Sequence, residues 1–342
     1  MNQHVAIVIL NWNGKHFLEK FLPSVVANAE NAEVIIADNA STDDSISFLN
    51  TTYPDLRIIQ NTSNGGFAKG YNEALKEVNA DLYLLLNSDI EVTPNWLNPL
   101  LAAMEDEKIA GCQPKVLSYH DRTRFEHAGA SGGFMDHNYF PFCRGRILST
   151  VEEDSGQYQG EKSIFWATGA ALMIRAELFH AVEGFDEDFF AHMEEIDLCW
   201  RLKKRGYQFK VCPASVVYHV GGGTLPYSSP RKTYLNFRNS LYMITKNHDG
   251  WLYPKLFYRM SLDGLAALLF LFKGEFNQFS AVFNAHMAFY AKLRTFLKKR
   301  KAVKISSTTF DRSGLFGGNI LWNHYVKGVK SYAKLNQRLF KK

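Results

Sequence analysis

The chain has 342 residues, of which 46% are hydrophobic, and its four cysteines are far apart. This length supports a large core with additional structure beside it, and it excludes small scaffolds held together by disulfides or metals. Cys112, Cys143, Cys199 and Cys212 lack the paired spacing of a zinc site, which indicates reduced, buried thiols in a cytosolic protein. The first apolar run is only as long as a strand and no basic segment precedes it, so we expect no signal peptide.

The net charge of +5 hides a strong asymmetry along the chain. Residues 1–225 contain 18 Lys and Arg against 30 Asp and Glu, a net charge of −12. Residues 226–342 contain 21 Lys and Arg against only 4 Asp and Glu, a net charge of +17. We therefore predict two regions with different surroundings, divided near residue 225.

The acidic region alternates short apolar runs with helical patterns. Runs at 5–10, 33–37, 56–59 and 82–86 predict buried strands, and each ends in Asn, Asp or Gly. This alternation predicts an α/β fold with a mostly parallel sheet and helices on both faces. Polar residues at the carboxyl ends of such strands form a crevice of nucleotide size.

The fourth run ends in Asn87-Ser88-Asp89, which places one carboxylate at the edge of the sheet. Asp89 suits a hard cation such as Mg²⁺ or Mn²⁺, although an Asp at this position could equally cap a turn. Thr93-Pro94 predicts the start of the next helix, with Thr93 as its cap.

Glycines mark two places where a ligand could approach the backbone. Asn64-Gly65-Gly66 precedes a helix that contains Lys69, and a helix start favours anions, although a plain glycine turn explains this stretch equally well. Gly169 interrupts a strand-like run at 164–174, where a ligand or another segment could approach closely. Residues 118–162 are irregular and aromatic, so we predict long loops there.

A predicted helix from about His192 to Gly206 begins with three carboxylates, Glu194, Glu195 and Asp197. Capping and an Asp197–Arg201 pair account for some of this charge. Three carboxylates exceed that need, so we expect one of them to stay ionised and to act as a general base. Two further strands, 209–212 and 215–219, end at His219, which is either a metal ligand or a structural histidine.

Taken in order, these stretches resemble the inverting glycosyltransferases of family 2, which have the GT-A fold, and in particular their bacterial rhamnosyltransferase-like branch. The resemblance covers roughly residues 5–225. The matching stretches are 9–13, 38–43, 64–72, 86–89, Thr168-Gly169-Ala170, 184–187, 194–198 and His219-Val220-Gly221-Gly222.

The resemblance implies a role for each matching residue. Those expected around the nucleotide are Asn11, Asp38, Asn64, Gly65, Lys69 and Asn87. Asp89 and His219 would hold Mg²⁺ or Mn²⁺ on the diphosphate of the donor. Glu195 matches the catalytic base, while Gly169, Glu194 and Asp197 are secondary candidates near the acceptor.

Two positions depart from the family pattern. Asn87 stands where many members have Asp, which removes one anionic partner of the metal. Glu195 stands where Asp is usual, so the acceptor lies farther from the helix or Glu194 or Asp197 takes the role. These departures keep open a catalytically dead membrane scaffold that binds nucleotide sugars. A sugar nucleotidyltransferase, which could share the nucleotide half and the metal, is the other alternative.

The basic region is predicted to be helical and to contact a membrane surface. An apolar stretch at 260–272 is too short to span a bilayer, and Phe276, Phe279, Phe283, Met287 and Tyr290 then recur at helical spacing. Apolar faces beside Lys and Arg clusters indicate an anchor on anionic lipid. Helices packed on the first region with a solvated basic face are the alternative. No nucleic-acid motif accompanies the charge.

The predicted partners follow from the resemblance. We expect a dTDP- or UDP-sugar donor and a glycan or lipid-linked acceptor in surface-polysaccharide synthesis. The expected location is the cytoplasm, at the inner face of the cell membrane.

Overall fold

A computed structural model of the chain describes residues 3–221 and 229–341. In chain order, the strands are β1 (Val5–Asn11), β2 (Glu33–Asp38), β3 (Arg57–Gln60), β4 (Leu82–Asn87), β5 (Ile90–Val92), β6 (Ile109–Ser118), β7 (Gly133–Asp136), β8 (Pro141–Cys143), β9 (Arg146–Ile147), β10 (Thr150–Val151), β11 (Lys162–Ile164), β12 (Ala171–Arg175), β13 (Gln208–His219) and β14 (Leu315–Phe316). The helices are α1 (Lys15–Ala27), α2 (Ser45–Thr52), α3 (Gly66–Ala74), α4 (Leu97–Ala103), α5 (Ala176–Ala181), α6 (Glu194–Lys203), α7 (Pro230–Asn247), α8 (Leu252–Phe272) and α9 (Phe276–Ser306).

The central sheet has nine strands in the described part of the chain. Eight of them lie in the order β11-β13-β6-β12-β4-β1-β2-β3, and β5 pairs with β13. Strands β4, β1, β2 and β3 are parallel, whereas β12 runs antiparallel to β4 and β6. The predicted α/β fold with a mixed sheet is therefore confirmed, and the carboxyl ends of β1, β2 and β4 meet at one edge.

Alternating side chains of the central strands pack into two separate hydrophobic cores, one on each face of the sheet. In β1, Ile7 and Ile9 join the core under α1 and α4, whereas Ala6 and Val8 join the core that contains α3 and α6. The helices thus cover both faces of the sheet. This double coverage explains why these strands appear in the sequence as continuous apolar runs.

Three expectations about local structure were wrong. The region 118–162 is not only loops, because it contains β7 to β10, which form a second sheet with β14. The strands predicted at 209–212 and 215–219 are one strand, β13, with an irregularity between Cys212 and Val216. Thr93-Pro94 does not start a helix. Strand β5 pairs with β13 as far as Val92, a turn follows at 94–95, and α4 begins at Leu97, while Thr93 Oγ1 donates to the Val216 carbonyl at 2.8 Å.

The C-terminal helices pack on the acidic region. Leu241, Met243 and Ile244 of α7 lie in the same core as Ile196 and Trp200 of α6. Helix α9 packs along α7, where the Tyr242 and Phe296 rings stack with centroids 3.8 Å apart. No helix within the described residues is long and apolar enough to cross a membrane. The expected boundary near residue 225 lies outside the described residues and stays a prediction, as does the part of the glycine stretch from Gly222 onward.

Candidate active site

Polar side chains at the ends of β1 and β2 form a buried, hydrogen-bonded group. Asn11 Nδ2 donates to Asp38 Oδ1 at 3.0 Å and to Ser41 Oγ at 3.1 Å. The other oxygen of Asp38 accepts the backbone N–H of Ser41 at 2.9 Å. Among the described residues, no donor lies within hydrogen-bond distance of the buried Asn11 Oδ1. This oxygen is therefore an available acceptor at the edge where a nucleotide would bind.

Asn39 connects the end of β2 to the start of α3, and the sequence reasoning missed it. Its Nδ2 donates to Asn64 Oδ1 and to the Gly66 carbonyl, both at 3.0 Å, and Asn64 Oδ1 also accepts the Gly66 N–H at 2.9 Å. A Cβ atom at Gly65 would lie 2.6 Å from Lys69 Cδ, so a glycine leaves room for this lysine. The predicted residues Asn64, Gly65 and Lys69 thus form one structure at the start of α3.

Asp89 and His219 lie together although 129 positions separate them in the chain. Asp89 Oδ1 is 3.1 Å from His219 Nε2, and both side chains are buried. Asn87 Nδ2 lies 3.5 Å from the same nitrogen. Strand β5 brings these residues together because it pairs with β13, placing Ile90 opposite His219.

Glu126 is a second carboxylate beside His219, and the sequence reasoning missed it. Its Oε2 lies 3.6 Å from His219 Nδ1. Burial alone lowers the pKa of His219, but the Asp89 and Glu126 carboxylates outweigh burial and raise it to about 10. Burial likewise raises the pKa of Glu126, and the His219 charge outweighs it to give a pKa of about 2. Glu126 lies in the stretch that we predicted as loops, where no strand pattern marked it.

The Asp89–His219 pair fits a divalent cation that is bound together with a nucleotide. A carboxylate oxygen and an imidazole nitrogen converge there, and Glu126 could orient the imidazole ring from its other nitrogen. Among the described residues, no three His, Cys, Asp or Glu side chains are grouped to hold a metal ion. Phosphate oxygens and water would therefore complete the coordination of Mg²⁺ or Mn²⁺.

Helix α6 presents its first carboxylates after a strained loop. Phe190, His192 and Met193 have φ angles of 67°, 70° and 73°. Each such residue costs roughly 1–2 kcal/mol, and this strain is typical of functional sites. The helix therefore begins at Glu194 rather than near His192 as predicted.

The two glutamates at the start of α6 hold their protons more strongly than we expected. Burial raises the pKa of Glu195 to about 7. Burial and the neighbouring Glu195 charge raise the pKa of Glu194 well above its usual range. The expectation of an ionised carboxylate is therefore corrected for these two glutamates, because burial disfavours their ionised forms.

Asp197 has a different environment from the two glutamates. Its Oδ2 accepts from Arg201 Nε at 2.8 Å and from Lys246 Nζ at 2.9 Å, and its Oδ1 accepts from Asn247 Nδ2 at 2.7 Å. The side chain is fully buried, and the predicted Asp197–Arg201 pair is confirmed. These contacts fix Asp197 in the core between α6 and α7.

Gly169 joins the carboxylate helix to the other parts of the site. A Cβ atom at Gly169 would lie 3.1 Å from Phe67 Cζ and 3.7 Å from Glu195 Cβ. The next carbonyl, that of Ala170, accepts the Asn87 N–H at 2.9 Å. The strand end that carries Asn87, helix α3 and the side chain of Glu195 therefore meet around one glycine.

The mixed sheet with helices on both faces and polar groups at its carboxyl edge has the architecture of the GT-A fold. The model of the family described as glycosyl transferase family 2 matches residues 6–182, and the chain belongs to this family. The expected family is thus confirmed, and the protein is a glycosyltransferase.

Two curated relatives agree with the expected rhamnosyltransferase-like branch. The chain is 24% identical over 284 residues to the N-acetylglucosaminyl-diphospho-decaprenol L-rhamnosyltransferase of Mycobacterium tuberculosis, a match that covers 78% of this chain and 92% of that one. It is 22% identical over 224 residues to the rhamnosyltransferase WbbL of Escherichia coli, covering 63% of this chain and 83% of that one.

Two solved structures confirm the fold. GalNAc-T7 with UDP, GalNAc and Mn²⁺ matches with a TM-score of 0.61 at 14% identity, and the match covers 95% of this chain and 56% of that one. The mannosyltransferase PcManGT of Pyrobaculum calidifontis, in complex with GDP-Man and Mn²⁺, matches with a TM-score of 0.54 at 15% identity. The match to PcManGT covers 90% of this chain and 86% of that one.

Proposed function

We propose that the protein is a metal-dependent, inverting glycosyltransferase that moves a sugar from a nucleotide-sugar donor to a hydroxyl group of a glycan or lipid-linked acceptor. The observation that carries the proposal is the meeting of Asn87, Phe67 and Glu195 around Gly169. This arrangement supports the proposal because Glu195 lies near the end of β4 and the start of α3, where we propose that the nucleotide binds. A carboxylate in that place can take a proton from an attacking hydroxyl group.

Glu195 is the residue that we assign as the base. Among the described residues, no donor lies within hydrogen-bond distance of Glu195 Oε2, so this oxygen can accept a hydrogen bond from a substrate hydroxyl. Glu194 is more deeply buried, and burial with the neighbouring Glu195 charge raises its pKa well above the usual range, which disfavours the ionised form that a base needs. Asp197 is held in ion pairs. A pKa of about 7 suits Glu195 to base catalysis near neutral pH.

The proposed reaction is a single displacement at the anomeric carbon. Asn11, Asp38, Asn64, Gly65, Lys69 and Asn87 bind and orient the nucleotide of the donor. Glu195 takes the proton as the hydroxyl oxygen attacks from the face opposite the diphosphate, so the configuration inverts. Asp89 and His219 would hold the divalent cation, which supplies positive charge to the departing diphosphate. Gly169 leaves room for the substrate beside Glu195.

We propose a dTDP- or UDP-sugar as donor and a lipid-linked or glycan acceptor in surface-polysaccharide synthesis. One relative is named as an L-rhamnosyltransferase acting on a diphospho-decaprenol, and one structural neighbour was solved with UDP. The test is to screen nucleotide sugars with Mn²⁺ by thermal shift and then to identify the product formed with an acceptor. Transfer releases a nucleoside diphosphate. Pyrophosphate formed from a nucleoside triphosphate would indicate a nucleotidyltransferase, and binding without turnover would indicate a scaffold.

The raised pKa of Glu195 predicts how the reaction rate depends on pH. Only the ionised form can accept a proton, so kcat/KM should rise with pH through about 7 and then level off. Measurement of kcat/KM from pH 5 to pH 9 checks this expectation. A rate independent of pH between 6 and 8 would contradict the assignment of Glu195.

The same shift predicts the stability of a Glu195→Gln variant. The pKa of Glu195 is about 7 in the folded protein against 4.5 as its ordinary value, so folding favours its protonated form. The stability that this preference contributes is complete below 4.5 and is lost as pH rises through 7. Glutamine cannot ionise, so the variant should melt at a higher temperature than the wild type at pH 8. Near pH 4.5 the two proteins should melt together.

We also propose that the C-terminal helices bind a membrane surface at its cytoplasmic face. Four of the five residues expected on the apolar face of α9 are exposed, namely Phe276, Phe283, Met287 and Tyr290. Helix α8 adds exposed apolar residues, among them Phe257 at 77% and Phe272 at 85% exposure. Beside these faces, residues 226–342 carry a net charge of +17. Exposed apolar helix faces with basic neighbours are typical of binding to anionic lipid.

Vesicle co-sedimentation across a salt series tests this membrane proposal. Anionic lipid contributes roughly 1 kcal/mol for each nearby Lys or Arg, so anionic vesicles should recover more protein than neutral ones, and salt should weaken the binding. The double variant Phe272→Ser and Phe276→Ser should reduce recovery, whereas the control Val26→Ser on α1 should not. Equal recovery with both lipids, or none with either, would contradict lipid binding by these helices.

A further inference from the structure

The loop that precedes the carboxylate helix is held from the C-terminal region. This loop, residues 188–193, overlaps the end of a 3₁₀ turn at Glu187–Phe189 and ends at the start of α6. On one side it contacts helix α3, where the Phe190 carbonyl accepts the Ala68 N–H at 3.2 Å. A Cβ atom at Gly66 would lie 2.6 Å from that same carbonyl oxygen, so α3 and the loop are in close contact.

On its other side the loop is held by one amide group of α7. Asn239 Nδ2 lies 2.9 Å from the Phe189 carbonyl, 2.8 Å from the Ala191 carbonyl and 2.7 Å from the His192 carbonyl. Asn239 is fully buried. The amide NH2 group has two hydrogens, which it shares among these three carbonyls, and the contacts fix the directions of the carbonyls.

Arg238 orients this amide and extends the same contact. Its Nε donates to Asn239 Oδ1 at 2.9 Å, which determines which side of the Asn239 amide faces the loop. Its guanidinium also donates to the Asp188 and Phe189 carbonyls at 3.1 and 2.9 Å. Two consecutive residues of α7 therefore hold the carbonyls of four loop residues.

Helix α7 also holds the segments on either side of this loop. Lys246 Nζ donates to Asp186 Oδ2 at 2.7 Å and to Asp197 Oδ2 at 2.9 Å. Asp186 lies before the loop and Asp197 lies in the first turns of α6. The loop has three left-handed residues that favour other conformations, so contacts along the whole segment are needed to keep one geometry.

We infer that Asn239, oriented by Arg238, is a positioning residue that fixes the loop 188–193 and thereby fixes the position of Glu195 relative to helix α3. The basic C-terminal region thus completes the catalytic site as well as offering a surface for lipid. This inference rests on the proposed function of Glu195. Asn239 itself need not touch the substrate.

The test compares Asn239→Asp with Asn236→Asp, which adds the same charge to a half-buried position of the same helix. A carboxylate has the shape of the amide but cannot donate to carbonyls. Displacement of a catalytic group by about 1 Å can cost 10²-fold in rate, so Asn239→Asp should lower kcat by at least about tenfold. The affinity for the nucleoside diphosphate should stay within about twofold of the wild-type value, because most residues that we propose to bind the nucleotide lie on or next to β1, β2 and α3. Asn236→Asp should behave as the wild type.

Hydrogen exchange gives a readout that does not depend on activity. Amides of residues 189–195 should exchange faster in Asn239→Asp, and those of β1 and β4 should not change. A folded Asn239→Asp protein with wild-type kcat and exchange would overturn the inference. If this variant does not fold, Arg238→Lys is the second test. A lysine cannot donate to Asn239 Oδ1 and to the two loop carbonyls at the same time. Wild-type kcat and exchange in Arg238→Lys would then overturn it. If the wild-type protein transfers no sugar, the proposed function fails, while the exchange result still tests the loop.

Discussion

Asp89→Ala is expected to remove metal-dependent turnover while the fold survives. Asp89 is the carboxylate of the Asp89–His219 pair and stands at the end of a buried strand. A bound cation contributes several kcal/mol to stabilising the departing diphosphate, so its loss should lower kcat/KM by about 10³-fold or more. The measurement is a transfer assay with a Mn²⁺ titration, together with Mn²⁺ binding in the presence of nucleoside diphosphate. Wild-type turnover in the variant would disprove the metal assignment.

Two further substitutions separate the loss of charge from a loss of structure. Asp89→Asn keeps the size of the side chain and removes its charge, so it should be nearly as damaging as alanine. Asp55→Ala is the matched control, because Asp55 is exposed before β3 and away from the site. Its turnover and melting temperature should match those of the wild type. If Asp89→Asn keeps full activity and Mn²⁺ affinity, the carboxylate is not a metal ligand.

Glu195→Gln should keep donor binding and lose most of the transfer. The nucleotide residues lie on β1, β2, β4 and α3, so the affinity for the donor should stay near that of the wild type. General base catalysis contributes typically 10²–10⁴-fold, and a loss of this size is expected in kcat. Binding of the donor by calorimetry and single-turnover kinetics would measure the two effects separately.

The neighbouring carboxylates provide the controls for this assignment. Glu194→Gln should have only a mild effect on kcat, because burial raises the pKa of Glu194 and so favours its neutral form, which glutamine resembles. Asp197→Asn should mainly lower the melting temperature, since it removes the buried carboxylate that pairs with Arg201 and one of the two that pair with Lys246. A severe loss of kcat in Glu194→Gln with a mild effect in Glu195→Gln would instead assign Glu194 as the base.

Ion pairs between the basic and acidic regions account for part of the charge asymmetry along the chain. Lys246, Lys292 and Lys299 of the basic region form ion pairs with Asp186, Asp188 and Asp197 of the acidic region. Part of the opposite charge is therefore neutralised where the two regions meet. Packing on the first region and binding to lipid, which the sequence presented as alternatives, are compatible, because α7 provides the former and exposed faces of α8 and α9 are available for the latter.

The sequence by itself determined the class of fold and most candidates for the site. Strands buried on both faces need a continuous apolar run, as in Leu82 to Leu86, and such runs are visible without a structure. Parallel strands bring their carboxyl ends to one edge, so Asn11, Asp38 and Asn87 could be grouped from their position after a strand.

Only the tertiary structure decided which groups surround the reacting residues. Glu126 and Asn239 lie outside the motifs, and long-range packing brings them to His219 and to the loop before Glu195. The start of α6 was misplaced because hydrogen bonds to α7 and α3 hold Phe190, His192 and Met193 in conformations that local sequence disfavours. The protonation of Glu195 was also misjudged. A pKa depends on burial and neighbouring charges in three dimensions, and residue spacing along the chain carries no information about either.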